Sequence, residues 1–407
     1  MKMDVVRQTF RALSHRNFRL FWTGQFISLI GSWMQIIAQS WLVFRLTNSP
    51  FMLGIVSSIS FIPVFLFSFV AGAVADKFDK RKILIATQTC SMILAFSLGL
   101  LTYTGLVKIW HIIIIATLFG ITSSFDAPTR QSFVIELVGK EDLKNAIGLN
   151  SSIFNAARIV GPAIGGILIS IVGEAFCFFI NAVSYIAVII GLYLVNTVNK
   201  PQVVSENNMT ESLKEGYRYI RGNKVVLFLL MIVGIISVFG MPYTILMPVF
   251  ARDILKVGSR GMGFLMGSSG LGSVLGALNI ASGDKKTKLN IVILGGLVCS
   301  FSLILFSASK WFIPSLIFLF FIGWGMITQI GMTNTFIQEI VPDALRGRVM
   351  SVFTFMLMGI SPLGNFIAGT VAHLVGTPMT VGICGTICFV SVGILGTMVK
   401  NAKRKQM

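Results

Sequence analysis

The sequence predicts an all-α membrane protein with twelve transmembrane helices in two six-helix, pseudo-symmetric bundles. Three observations support this fold class. Hydrophobic residues make up 55% of the 407 residues and charged residues only 12%, about half the charged fraction of soluble proteins. The apolar segments have the length that crosses a bilayer, roughly 20 residues each. The two halves of the chain also repeat each other at a constant spacing.

Polar and charged connections separate the apolar segments, which we number as spans 1 to 12. The predicted spans are 18–46, 51–76, 83–103, 109–131, 145–171, 175–197, 225–250, 260–281, 289–308, 312–336, 348–371 and 377–399. The longest polar connection follows span 6. It predicts an N-terminal bundle at 1–198, a linker at 199–224 and a C-terminal bundle at 225–407. Within the linker, residues 212–220 have the pattern of an amphipathic helix on the cytoplasmic surface.

The net charge of +18 follows the positive-inside rule. Most of the basic residues lie in the two termini and in the connections from even-numbered to odd-numbered spans. Six lie in the opposite connections: Arg45, Lys108, Arg252, Lys256, Arg260 and Lys310. This asymmetry predicts that both termini are cytoplasmic. The excess of positive charge therefore indicates membrane topology and argues against nucleic-acid binding.

No cofactor or metal site is predicted. The five cysteines lie in apolar segments, are odd in number and form no C-x-x-C pair, so we interpret them as small buried residues. The three histidines are scattered along the chain. The sequence contains no nucleophile motif and no nucleotide-binding loop. We therefore expect a protein that is not an enzyme, and any transport to be driven by a gradient.

The internal repeat relates spans 4 and 5 to spans 10 and 11 at an offset of 203 residues without a gap. Residues Gly120, Phe133, Glu136, Val138, Gly161, Gly166 and Gly173 match Gly323, Phe336, Glu339, Val341, Gly364, Gly369 and Gly376. A constant offset over more than fifty residues is not expected by chance. Two parallel six-helix repeats are typical of secondary transporters that bind substrate between their halves.

The connection between spans 2 and 3 carries a charged motif, GAVADKFDKRKIL at 72–84. Asp76 ends span 2, where the helix dipole disfavours a carboxylate, and the N-terminus of another helix is a better partner. Gly72 permits close helix contact. The motif resembles the loop between helices 2 and 3 of the major facilitator superfamily, G-x-L-A-D-R-x-G-R-K-x-x-L. The D-x-x-D-(K/R)-R variant is similar to that of macrolide and siderophore exporters, with Asp79 at the usual glycine.

A second motif, VPDALRGRVMS at 341–351, also resembles the exporter branch. We expect span 11 to start near Gly347, with its free N–H groups facing Asp76. Related exporters join an acid on helix 4 to the loop in a charge network that latches the inward side. We therefore predict a cytoplasmic gate formed by Gly72, Asp76, Arg81, Asp126, Arg130 and Gly347, with Arg81 close to Asp126. The alternative role of Asp126 is to carry a proton, because no other carboxylate lies well within a span.

Span 1 has one polar stripe, in which Gln25, Ser28, Ser32 and Gln35 fall within an arc of about 80°. The stripe predicts a wall of the substrate cavity; hydrogen bonding between helices is the alternative. In the family, helices 1, 4, 7 and 10 line this cavity. The predicted cavity residues are Gln25, Ser28, Ser32, Gln35, Arg158, Gln329 and Asn334.

Arg158 lies near the middle of span 5, where a charge costs at least roughly 2.5 kcal/mol. We predict that it favours neutral or anionic cargo; a structural arginine bonded to the amides of span 1 is the alternative. Three residues later begins a G-P-x-x-G-G segment that resembles the helix 5 motif of antiporters. Its residues Gly161, Pro162, Gly165 and Gly166 form the predicted helix-packing motif.

The resemblance covers essentially the whole chain and implies a secondary active transporter. We expect it to export small amphipathic molecules, of the drug or siderophore class, by alternating access and proton coupling. An importer or a lipid flippase of the same fold is the alternative. The expected setting is the bacterial cytoplasmic membrane, and the expected partners are the small-molecule substrate, the lipid bilayer and protons. We expect a monomer without a cofactor.

Overall fold

The computed structural model describes residues 10–195, 209–282 and 288–406, and these residues are helical apart from short connections. We number the long helices in chain order. They are α1 Arg16–Thr47, α2 Pro50–Lys77, α3 Lys80–Tyr103, α4 Ile109–Gly139, α5 Glu141–Val172, α6 Glu174–Leu194, α7 Met209–Gly222, α8 Lys224–Ile254, α9 Gly258–Ser282, α10 Lys288–Ala308, α11 Phe312–Ile340, α12 Asp343–Val375 and α13 Thr377–Gln406.

Among the described residues, eleven helices are long and apolar enough to cross a membrane. The described part of α2 adds a shorter apolar segment, Pro50–Val64. The predicted all-helical membrane fold is therefore confirmed with eleven candidate spans among the described residues. The number twelve and the two six-helix bundles stay predictions.

Local sequence sets the start of α3 and the end of α4. Asp79 caps α3, since its carboxylate accepts the N–H groups of Arg81 at 2.9 Å and Lys82 at 3.4 Å. Helix α4 runs on to Gly139, whose φ of 72° is accessible to glycine without strain. The predicted connection between 131 and 145 is thus almost entirely helical. The charged residues of this connection mark where the predicted spans end, and the helices continue beyond them.

The helix of span 11 does not start at the predicted position near Gly347. The helix begins at Asp343, directly after Pro342. Gly347 therefore lies beyond the first turn, and its N–H is not one of the free groups at the helix start. An added Cβ at Gly347 would meet no atom within 4 Å.

The chain forms two compact units. The first holds the described residues up to Asn48 and from Ile59 to the end of α6; the second holds Ser49–Ser58 and everything from α7 onward. No sequence pattern indicated that the first turns of α2 belong with the second unit. They pack there on α12, where Asn365 Nδ2 donates to Ser57 Oγ at 2.9 Å and Ser58 Oγ donates to the Pro362 carbonyl at 2.7 Å.

Each unit has its own apolar core. In the first unit, Phe18 and Phe21 of α1 pack with Leu84 of α3 and Phe133 of α4. In the second, Ile220 of α7 is buried with residues of α8, α11 and α12. The segment predicted to be an amphipathic helix thus packs its apolar side on the protein. Other predicted parts of the linker and the loop at 283–287 lie outside the described residues.

The repeated glycines Gly120 and Gly323 occupy equivalent crowded positions, one in each unit. An added Cβ at Gly120 would strike the carbonyl oxygen of Ser60 on α2, and one at Gly323 would strike the carbonyl oxygen of Ser269 on α9. Small residues of this kind let helices approach closely in a membrane. The repeat seen in the sequence therefore corresponds to repeated helix contacts.

Candidate functional site

The candidate site is a buried polar cluster in the first unit, centred on Asp126 of α4. The Asp126 residue is 4% exposed and forms an ion pair with Arg130. The two residues are four positions apart, so they lie on the same face of the helix. Because a buried carboxylate is stable only when its charge is compensated, this pair is what allows an acid at this position.

Helix α3 supplies two further partners of Asp126. Gln88 Nε2 donates to Asp126 Oδ1 at 2.7 Å, and Thr87 Oγ1 donates to the same oxygen at 3.1 Å. Gln88 Oε1 is buried without a hydrogen-bond partner in the structure. Hydrogen bonds to a charged acceptor are the stronger kind. The cluster therefore holds one negative charge with a cation and two neutral donors.

A matching ion pair lies at the ends of the neighbouring helices in each unit. Lys80 at the start of α3 donates to Glu136 of α4 at 2.6 Å. In the second unit, Lys288 at the start of α10 pairs with Glu339 of α11. The two glutamates are repeat partners, but the sequence analysis did not find their lysines. The signal that could have found them is the basic first residue shared by α3 and α10.

The predicted gate residues are only partly brought together. Asp126 and Arg130 are paired, as described above. Among the hydrogen bonds of the described residues, Arg81 Nη2 donates to the Tyr193 carbonyl at 2.7 Å, and the expected contact between Arg81 and Asp126 is not formed. The physical reason is that the last carbonyls of α6 lack helical partners. The side chain of Asp76 lies outside the described residues, so its partner stays a prediction.

The predicted stripe of α1 is largely buried. Gln25, Ser28 and Gln35 are buried and Ser32 is half-buried. Gln35 Oε1 accepts a hydrogen bond from Asn181 Nδ2 of α6 at 2.6 Å. This contact favours the alternative of hydrogen bonding between helices at Gln35. By contrast, Gln25 Oε1 is buried without a hydrogen-bond partner in the structure, and its predicted role at a cavity stays open.

The other predicted cavity residues have different surroundings. Gln329 of α11 is fully buried, and an added Cβ at Gly296 of α10 would lie 3.5 Å from its Cγ. Asn334 Oδ1 accepts from Gln338 Nε2 at 2.5 Å. Arg158 is half-buried and has an interaction partner. These residues do not form one cluster in the contacts described, and their role at the cavity stays a prediction.

The predicted helix-packing motif of α5 lies against α1. An added Cβ at Gly161 would lie 2.6 Å from Trp33 Cβ and 2.8 Å from the Ile30 carbonyl oxygen. One at Gly165 would lie 3.0 Å from Met34 Cγ. Pro162 and Gly166 are buried beside them. The side of α5 that follows Arg158 is thus fixed against α1.

Sequence reasoning missed the neutral members of the polar cluster. Thr87 and Gln88 of α3 and Asn181 and Tyr185 of α6 all contact a predicted site residue. An available signal was the presence of amide side chains inside otherwise apolar spans, because such groups require partners in hydrocarbon. The same argument that predicts partners for the polar stripe of span 1 therefore applies to Gln88 and Asn181.

Comparison with known proteins gives matches over nearly the whole chain. The sequence profile of the transmembrane secretion effectors matches residues 7–406. The staphyloferrin A transporter of Staphylococcus aureus is 29% identical over 384 residues, which cover 92% of this chain and 94% of that protein. Macrolide efflux protein A of Streptococcus pyogenes is 23% identical, over 95% of this chain and 96% of its own. The enterobactin exporter EntS of Escherichia coli is 23% identical, over 94% of this chain and 91% of that protein.

Solved structures of transporters share the fold. A bacterial homologue of the human lysosomal transporter Spinster matches with a TM-score of 0.73 and 14% identity, over 97% of each chain. A POT family transporter in complex with 5-aminolevulinic acid matches with a TM-score of 0.76 and 12% identity, over 95% of this chain and 96% of that one. At these identities the similarity shows the fold alone.

Proposed function

Because the chain belongs to the transmembrane secretion effectors of the major facilitator superfamily, a family of membrane transporters and not of enzymes, we propose that it exports small amphipathic molecules through alternating access of two six-helix bundles. The relatives that match over more than nine-tenths of the chain are named for a siderophore, a macrolide and enterobactin. The proposed cargo is therefore a siderophore or a drug of similar size. The proposed location is the bacterial cytoplasmic membrane, with both termini inside.

The observation that carries the proposed coupling is the buried Asp126 cluster. An acid that exchanges a single cation partner for a proton changes the local charge without any cofactor. We propose that a proton gradient drives export and that Asp126 is the protonated group. The gate role of Asp76, Gly72 and Gly347 stays part of the proposal, and the corrected helix start moves its free N–H groups to Asp343 and the residues directly after it.

The test uses inside-out membrane vesicles that contain the protein, with staphyloferrin A and a macrolide as probes. An imposed pH gradient, acidic inside, should drive accumulation of at least one probe, and a protonophore should abolish it. Vesicles with Asp76→Ala should contain the same amount of inserted protein and accumulate neither probe. Accumulation that is unaffected by the protonophore would overturn proton coupling. Failure of both probes to accumulate or to bind would overturn the proposed cargo class.

The orientation of the vesicles distinguishes export from import. An importer of the same fold would accumulate the probes in right-side-out vesicles under a gradient of the same direction relative to the protein. The exporter predicts accumulation in inside-out vesicles only.

A further inference from the structure

Tyr185 of α6 joins polar groups from several helices of the first unit. The Tyr185 residue is 7% exposed, and its hydroxyl lies 3.5 Å from Ser32 Oγ of α1 and 3.5 Å from Asn181 Nδ2. It also interacts with Ser91 of α3 and electrostatically with Arg130 of α4. One hydroxyl therefore lies beside the α1 stripe and interacts electrostatically with the cation of the candidate site.

The contacts continue from Tyr185 in both directions. Asn181 Nδ2 donates to Gln35 Oε1 at 2.6 Å, while the Tyr185 oxygen lies at 3.5 Å from the same nitrogen. In the other direction, Arg130 is paired with Asp126. Hydrogen-bonding groups thus lead from Gln35 and Ser32 to Tyr185, and an electrostatic interaction with Arg130 links Tyr185 to Asp126. We call this series the polar path.

The second unit shows what the fold requires at the same positions. The repeat offset of 203 residues places Gln329 and Thr333 of α11 at the positions of Asp126 and Arg130. Gln329 Nε2 donates to Thr333 Oγ1 at 3.3 Å. The second unit therefore keeps the spacing of the pair and its side-chain contact without any charge.

The partners of the pair are also replaced in the second unit. Helices α3 and α10 both begin with the lysine that binds the repeated glutamate, and this alignment places Gly295 and Gly296 at the positions of Thr87 and Gln88. Gln329 thus packs on two glycines where Asp126 has two hydrogen-bond donors.

Helix α13 repeats α6 with thiols in place of the polar path. The same offset of 203 places Cys384 and Cys388 at the positions of Asn181 and Tyr185. Cys388 is buried to a similar extent as Tyr185. Helix packing at this position therefore does not require a tyrosine or an amide. The polar path is a property of the first unit and calls for an explanation other than packing.

We propose that Tyr185 is a positioning residue that couples cargo contact at the α1 stripe to the state of the Asp126–Arg130 pair. When cargo binds the hydroxyl of Ser32, the Tyr185 hydroxyl loses that neighbour and reorients relative to Arg130, with which it interacts electrostatically. The inference rests on the proposed function, since it assigns a route to the coupling proposed there. No charged residue other than Asp126 and Arg130 takes part in the described contacts of this path.

The test measures how strongly the charge of Asp126 affects cargo affinity. The dissociation constant of staphyloferrin A, or of a macrolide if that is the transported probe, is measured for the wild type and for Asp126→Asn. Coupled sites typically change each other's affinity by about 5-fold or more. We therefore expect the dissociation constants of Asp126→Asn and the wild type to differ by a ratio of at least this size. In a Tyr185→Phe background, which removes one oxygen atom, the ratio should fall below about twofold.

The control is Tyr243→Phe in the second unit. Tyr243 is also buried, at 3% exposure, and its hydroxyl lies 2.7 Å from Ser269 Oγ. This variant loses one hydrogen bond of a buried tyrosine in the second unit, outside the polar path. The ratio of dissociation constants should therefore stay at its value in the wild-type background. Thermal unfolding of each variant in the same detergent checks that the comparison is made between folded proteins.

The outcomes separate the inference from the proposed function. A ratio that persists in Tyr185→Phe overturns the positioning role, and so does an equal loss of the ratio in Tyr243→Phe. A wild type that exports under a gradient but shows no effect of Asp126→Asn on affinity overturns the inference alone. A wild type that neither binds nor transports the probes overturns the proposed cargo, and the coupling inferred from it fails with it.

Discussion

A carboxylate within a membrane span requires compensation of its charge, and the residues around Asp126 provide it from two helices. Arg130 supplies the opposite charge, while Thr87 and Gln88 supply neutral donors. The neighbouring Glu136 follows the same rule with Lys80 as its cation. At the scale of single residues, both carboxylates are thus compensated by contacts within the first unit.

The Lys80–Glu136 pair should contribute more to stability than its repeat partner. The side chains of Lys80 and Glu136 are 7% and 24% exposed, whereas that of Glu339, the partner of Lys288, is 42% exposed. Lys80→Gln leaves a mostly buried carboxylate without its cation, and we expect it to lower the free energy of unfolding by about 2 kcal/mol. Lys288→Gln should cost less, because water reaches Glu339. Thermal unfolding in one detergent measures both, and equal losses would contradict the argument.

Arg158 should give the protein a preference for anionic cargo. Its guanidinium keeps its charge under all relevant conditions, and the residue is half-buried with an interaction partner of its own. For a matched pair of anionic and cationic ligands, Arg158→Gln should reduce the ratio of the affinity for the anion to that for the cation by about tenfold. Equal changes in both affinities, or no change in either, would assign Arg158 a structural role.

Charged site residues could be predicted from the sequence because a charge in an apolar span has few structural explanations. The sequence identified Asp126, Arg130 and Arg158 in this way. It did not identify Tyr185 or Gln88, since a single neutral polar residue is common in a membrane helix and its partners come from other helices. It also assigned Arg81 to Asp126, although the guanidinium binds the end of α6.

Helix packing at the scale of single elements rests on glycines that face a neighbouring backbone. Gly161 of α5 lies against α1, where an added methyl would strike Trp33 Cβ and the Ile30 carbonyl. Gly148, on the same helix, would place its methyl in open space. The two glycines therefore differ in packing while sharing the same helical backbone.

These two positions predict opposite effects of the same substitution. Gly161→Ala should lower the free energy of unfolding by about 1–3 kcal/mol through overpacking. Gly148→Ala should leave it unchanged or raise it by up to about 1 kcal/mol, because alanine favours a helix over glycine. Thermal unfolding of the two variants decides the matter, and a stability loss at Gly148 as large as that at Gly161 would show that the contact with α1 is not the cause.

The ends of the helices were harder to predict than their existence. Apolar length located the spans, since it is fixed by the bilayer. Helix α4 nevertheless extends to Gly139 and α12 begins at Asp343, because caps, prolines and positive φ angles set these ends outside the membrane. The membership of Ser49–Ser58 in the second unit depends on contacts distant in sequence, which the local pattern does not contain.

At the scale of the whole molecule, the two units share a repeat but differ in charge. The repeat keeps the crowded glycines and the lysine–glutamate pairs in both units. It keeps the charged pair only in the first, where Asp126 and Arg130 stand at the positions of Gln329 and Thr333. We therefore propose that gradient-driven export depends on the charge of the Asp126–Arg130 pair, and not on the side-chain contact that both units make at these positions.

The most direct test transfers the second unit's pair into the first. The variant Asp126→Gln/Arg130→Thr should insert and fold, since the same two side chains already form a hydrogen bond in the second unit. In inside-out vesicles it should exchange probe across the membrane but accumulate none under an imposed pH gradient. The control Thr333→Val, which removes the corresponding side-chain hydrogen bond of the second unit, should accumulate the probe as the wild type does. Accumulation by Asp126→Gln/Arg130→Thr at the wild-type level would contradict the account.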